Sequence, residues 1–446
     1  MSRFNIALLG EEIGAAEEVT PEATDATLDT IADSPEPEIA EANEVAGDLQ
    51  DADAAAAEAE EVAETLDAMA GPIEAAQAEG GLTEPAAEAI RIAVEHMKSR
   101  IGMGKRKTFA MEGFKSKTTR AQATRVALED IKETAGKIWD AIVKAFNTAI
   151  EWVKKFFASL FDGATKLKNR ATKIKEAADA KEGKTAAADA KVESESIAEA
   201  LRLNGKVSEP KDVSANFSRM VADVMGKNSA IEAATKLTEE AEGALAVIEE
   251  SEKFKAALEG LAKGVNKFSK ARKVDGLDAN LKATSSENYF GDKVAVIISL
   301  ADSVKGDDVL KHIGGIKLSI MDAEGRKPLT KTEMTPLSPK EAADLCGDVE
   351  DLATGLINAK GAVEKLNTAQ KKLQDYAKKL SANTKGDAQA NAGAGARVAR
   401  VAISAATTYM VQSNKMLLNI GNSGLNYAAA SLSLIGKEAA GSEEKK

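Results

Sequence analysis

The chain offers few residues for catalytic chemistry. Its histidines, His96 and His312, lie far apart in unlike contexts, and its one cysteine is Cys346. Structural and catalytic zinc sites draw on clusters of Cys and His at short spacings, and no such cluster is present. A nucleophile with a histidine base would have to use His312, because His96 belongs to the acidic N-terminal part. The run Gly102-Met-Gly-Lys-Arg-Lys-Thr108 has glycines and lysines without the spacing of a phosphate loop, and no strand precedes it. Gly393 and Gly395 lack the third glycine of a dinucleotide fingerprint and read as linker. The 71 acidic residues are too many to single out an acid/base pair, so they read as solvated faces. The expectation is no catalytic residue, no metal ligand, no cofactor and no small-molecule substrate: a protein that is not an enzyme.

One short segment does suggest chemistry, and the chemistry is scission of the chain itself. A protease that reads a small residue, any residue, then Glu would cut Ala110-Met111-Glu112-Gly113 after Glu112. Ala-X-Glu-Gly recurs at 180–183 and 257–260, leaving further cuts after Glu182 or Glu259 open. Only the first copy lies where the composition switches. It follows glycines and the basic run Lys105-Arg106-Lys107, in irregular chain of the kind that is processed.

The switch is one of charge. Residues 1–112 hold 26 acidic and 7 basic side chains, net −19, which leaves +7 of the total −12 on residues 113–446. The first 90 residues contain a single basic residue, Arg3, and a single aromatic, Phe4. Such a stretch has little apolar surface with which to offset chain entropy, so a largely disordered acidic leader is expected. Within it, Pro21, Pro35 and Pro37 predict irregular chain over 20–38. Residues 39–70 are Ala/Glu/Asp-rich and suit a transient or partner-induced helix, and Ile90, Ala93 and Met97 have helical spacing.

Beyond the junction lies the clearest helical pattern. Ile131, Ala135, Ile138, Ile142, Ala145, Ala149, Val153, Phe156 and Leu160 step by three or four and define one face. Trp139, Phe146, Trp152, Phe156 and Phe157 give it an aromatic side that could meet a membrane, a partner groove or the centre of a bundle. Helices broken near Gly183, Gly205 and Pro210 should follow. Val294–Ile298 and Ile316–Ile320 read as two strands that pair as a small insert. Ser338-Pro-Lys-Glu341 is a capping box with Pro at the first helical position, so a helix should start at Pro339, break near Gly355 and continue to about Leu380. Residues 384–395 read as a flexible link, and a final helical region from Val398 to about Ile435 as interrupted at Gly421 and Gly424.

The fold class expected is therefore mainly α: an acidic leader over 1–112, and helical regions over 113–285 and 336–446 forming a bundle or an elongated body. A two-stranded β insert sits between them at 286–335. No apolar run reaches the ~18–20 residues of a membrane span, and the N-terminal Phe4–Leu9 stretch is short for a secretory signal. Together with the lone cysteine, this predicts a protein soluble and intracellular when made.

Four features together resemble the internal head proteins of phiKZ-like giant tailed phages. They are Phe4-Asn-Ile-Ala-Leu-Leu9, the acidic leader, Ala110-Met111-Glu112, and the Trp/Lys-rich helix around Trp139 and Trp152. The resemblance covers residues 1–161. It implies a virion structural protein, made in the host cytoplasm and housed in the capsid interior. An acidic propeptide would be cut by the prohead protease between Glu112 and Gly113, and the body would stay packed with the DNA as inner-body or ejected protein. The partners it implies are that protease, other capsid or inner-body proteins and, non-specifically, packaged DNA. A membrane-active helical protein held in check by its leader is the alternative.

Overall fold

A computed structural model describes residues 35–103, 109–225, 230–248, 250–264, 270–358 and 387–436, with Phe268 and a few positions between 361 and 375. The expectations for residues 1–34 and for the basic run at 105–107 lie outside the described residues. Chain contacts divide the protein into two compact units. Among the described residues, the first unit holds those of 48–151 and 373–397, and the second those of 35–47, 152–372 and 398–436.

The first unit is helical. It contains most of α1 (Glu36–Ala78), all of α2 (Glu84–Arg100) and the first half of α3 (Arg120–Asp179). Between Glu36 and Arg100 the acidic segment forms two helices joined by a turn. Leu49, Ala52, Ala56, Ala59, Ala63, Leu66, Ala70 and Ile73 are all buried and alternate steps of three and four, a seam of the heptad kind. Ala87, Val94 and Met97 of α2 join the same core, as do Ala127, Leu128, Ile131, Ala135, Ile138 and Ile142 of α3. Helices of this composition are marginal alone and gain stability from packing an apolar stripe. Here the leader and the body supply that stripe to each other.

Contacts along the helices fix their directions. Glu74 pairs with Lys132 and Asp67 accepts from the Trp139 indole N–H, so α1 and α3 run antiparallel. The turn from α1 to α2 needs glycine. Gly81 has φ +99°, and a Cβ there would lie 2.5 Å from the Arg120 carbonyl carbon. Beside it, the Leu82 N–H donates to Thr124 Oγ1 at 2.8 Å, which ties the start of α2 to the start of α3.

The second unit is mixed. The two strands expected to pair do so, as β6 (Lys293–Leu300) and β7 (Lys317–Asp322), with Ile297 opposite Leu318. The insert is larger than two strands, because β4 (Lys270–Ala271) and β5 (Leu281–Ser285) complete an antiparallel sheet in the order β4-β5-β6-β7. Its β7 edge is covered: the Ile320 N–H donates to Gln412 Oε1 at 2.7 Å. Two short ladders accompany it, β1 (Val192–Glu193) with β8 (Glu333–Met334), and β2 (Arg202–Leu203) with β3 (Lys206–Val207). The second turns through Asn204 and Gly205, both at positive φ, as a tight two-residue hairpin requires.

The helix from Pro339 forms as expected. In α9 (Pro339–Asn358) the Glu341 carboxylate accepts from the Ser338 N–H at 2.8 Å, and the Glu341 N–H donates back to Ser338 Oγ at 3.3 Å. α9 continues through Gly355. The last helix, α10 (Asp387–Leu434), departs from expectation twice: it begins inside the 384–395 segment read as a link, and it runs unbroken through Gly421 and Gly424. Those glycines serve close approach. A Cβ on Gly421 would meet Leu167 at 2.9 Å and Leu352 at 3.0 Å.

Candidate functional site

The connection from α2 to α3 carries the candidate scissile bond. Phe109 and Phe114 are buried on either side of it, their ring centroids 5.7 Å apart and tilted by 58°. Between them Ala110 and Glu112 are exposed, while Met111 is half-buried against the core of the first unit. Glu112–Phe114 form a single 3₁₀ turn, closed by the Phe114 N–H on the Met111 carbonyl at 3.1 Å. The next carbonyls are held as well: Thr119 Oγ1 donates to Gly113 O at 2.7 Å and Arg120 Nε to Phe114 O at 2.9 Å. A Cβ at Gly113 would lie 2.7 Å from that of Ala123. The segment thus presents its Ala and Glu to solvent, but its backbone is folded onto α3. Drawing it into a cleft means lifting one or both phenylalanines, each worth roughly 1.5–3 kcal/mol of burial.

The two later copies of Ala-X-Glu-Gly differ from the first and from each other. Ala180, Glu182 and Gly183 lie exposed in the turn after α3, with Gly183 at φ +77°. Lys181 of that turn donates to the Leu432 carbonyl at 2.6 Å. The third copy lies inside α7 (Ser251–Gly264), where Leu258 is wholly buried and Glu259 accepts from the Gly306 N–H at 3.0 Å. Burial and helical hydrogen bonding make it the least accessible of the three. The sequence pattern alone does not separate these copies; their local structure does.

The aromatic residues read as a membrane or partner face lie along α3. Trp139 packs half-buried on the first unit's core, and Trp152 is half-buried in the second. Phe156 and Phe157 are buried there, edge to face with centroids 5.1 Å apart. Phe146 lies outside the described side chains. Among the described residues no helix is long and apolar enough to cross a membrane.

The histidines and the cysteine lie on separate elements. His96 is exposed on α2, and His312 Nδ1 stands 3.6 Å from Asp278 Oδ2 at the end of α8 (Asp307–His312). Cys346 is buried in α9, and burial pushes its thiol up to about 12. Among the described residues no cluster of His, Cys, Asp and Glu could hold a metal ion. Arg202, only 1% exposed, was not singled out by sequence. Its Nε donates to Asp292 Oδ2 at 2.7 Å, and its guanidinium also reaches Glu199 and the Lys327 carbonyl. Asp292 in turn accepts from the Gly205 N–H at 3.0 Å, so this buried pair pins the β2–β3 hairpin to the sheet.

A family model described as phiKZ-like phage internal head proteins matches residues 37–430. No curated protein and no solved structure matches the chain. The matched span covers well over half of the sequence, so the chain belongs to that family: it is a structural head protein, and its place is the capsid interior. The match begins at the first turn of α1 and takes in both leader helices.

Proposed function

We propose that this member of the internal head proteins is made as a precursor, cut between Glu112 and Gly113, and packaged as a structural, non-catalytic component beside the DNA. The observation that supports the cut is the coincidence of three features at one place. Ala110 and Glu112 are exposed, the described chain between α2 and α3 is largely non-helical, and net charge changes from −19 to +7 across the bond. The prohead protease is the partner this reading requires. Other inner-body proteins and packaged DNA are the neighbours that the location offers.

Electrostatics supports the order of events. A −19 segment opposes contact with DNA phosphates, and its loss leaves a body of net +7. Lys115, Lys117, Lys155 and Lys168 stand exposed on and just before α3, where non-specific phosphate contacts would form. The membrane-active alternative asks more of the molecule, since Phe156 and Phe157 would have to leave the core of the second unit. Ejection with the genome is a further step that follows from neither argument.

Intact mass and N-terminal sequencing of the protein from mature heads test the reading. A chain starting at Gly113 is expected. A chain starting at Met1 or Ser2 overturns it. A Glu112→Ala phage should retain the full-length chain in its heads.

A further inference from the structure

Cutting one bond does not remove a leader that is packed into a core. We infer that after scission at Glu112 the leader stays bound to the body as a separate chain, with α1 and α2 clasped over the apolar stripe of α3. Scission and release are then two events, and the charge change proposed above belongs to the second. This inference takes its place of scission from the processing reading, but its physical content does not depend on which protease makes the cut.

The interface has two layers. Its centre is apolar. Val62, Leu66 and Ile73 of α1 and Val94 and Met97 of α2 share one core with Leu128, Ile131, Ile138 and Ile142 of α3. Its rim is charged. Lys132 pairs with Glu74, and Lys98 lies 3.8 Å from Asp130. Arg397, at the start of α10 in the same unit, donates to Glu60 at 2.9 Å and also contacts Glu64. Glu60 is 2% exposed, so its removal from Arg397 would strand a buried charge. The start of α1 is held as well, in the second unit, where Lys166 pairs with Glu38.

All of these contacts join residues before the Glu112–Gly113 bond to residues after it, and none involves the bond itself, so none is broken by cutting it. Apolar burial is insensitive to salt, whereas attraction between a −19 leader and a +7 body is screened within ~3 Å at 1 M salt. The two contributions can therefore be separated. Only the packed interface keeps the fragments together at high salt.

The test inserts the recognition sequence of a site-specific protease between Glu112 and Gly113 of the full chain, which makes it independent of the phage enzyme. After cutting, the fragments are run on a sizing column with mass detection in low salt and in ~1 M NaCl. Co-elution of 1–112 with 113–446 in equal amounts at both salts is expected. Leu66→Asp, a change confined to the leader, should weaken retention by at least ~100-fold and release a body that still elutes as a folded species. On a DNA column the cut wild type should elute with the uncut chain, and the cut Leu66→Asp body at higher salt. Separation of the wild-type fragments in low salt overturns the inference. Separation only in high salt also overturns it, by making the association electrostatic. A failure here leaves the processing reading standing, since that reading is judged by the N-terminus found in heads.

Discussion

The first unit closes on alanine, and the second on large side chains and a buried ion pair. In the first, Ala52, Ala56, Ala59, Ala63 and Ala70 let helices approach closely, with charged pairs beside the seam. In the second, Phe156, Phe217, Tyr289, Phe290, Tyr409 and Tyr427 are all wholly buried, and Arg202 is buried with Asp292. The difference shows two ways to make a helix-rich particle protein. The first joins leader to body through a seam of small side chains with ion pairs that are partly buried, as at Glu60, and partly exposed, as at Lys132 and Glu74. The second instead binds its buried charge, Arg202 to Asp292, among large side chains.

Substitutions that unfold one unit and spare the other test the contrast. The two tryptophans report separately, since Trp139 belongs to the first unit and Trp152 to the second. The largest effect is expected from Arg202→Ala. It leaves Asp292 buried without its partner and should cost about 3–5 kcal/mol, read by Trp152 fluorescence in urea with Trp139 replaced by Phe. Leu66→Ala should cost about 2–5 kcal/mol in the first unit, read by Trp139 with Trp152 replaced by Phe. Equal shifts at both reporters would merge the two units into one. Gly421→Leu is expected to cost about 1–3 kcal/mol in the second unit, because the added atoms meet Leu167 and Leu352.

The smallest expected signal is an absence. Burial raises the Cys346 thiol to about 12, so the native protein carries almost no thiolate at pH 8. It should be inert to thiol reagents until the second unit unfolds, at the urea concentration where Trp152 changes. Labelling at low urea would place Cys346 in a part that opens separately.

Much of the fold is legible in the sequence, and the losses have physical causes. The 131–160 periodicity is strong because Ile, Val, Phe and Leu mark one face against lysines. The leader's periodicity is hidden because alanine fills both its seam and its outside: Ala56 and Ala63 are buried while Ala54 and Ala68 are exposed. Counting large apolar residues therefore understates how well α1 packs. Gly421 and Gly424 read as breaks because a glycine in a helix costs stability, yet here a neighbouring helix fills the space that a side chain would need. The capping box at Ser338 and the strands at 294 and 316 are legible because each is a local rule. Arg202 is not, since its partner Asp292 lies 90 positions away. The processing segment shows its residues in the sequence, but not the two phenylalanines' grip on it.

The leader helices α1 and α2 are a folded part of the full chain. Native-state hydrogen exchange of the full chain tests that directly. Amides of 49–73 should exchange as slowly as those of 127–142, and both should speed up together in Leu66→Asp. Exchange of 49–73 at the rate of an unfolded chain, with 127–142 still protected, would contradict it and make the leader a tail after all.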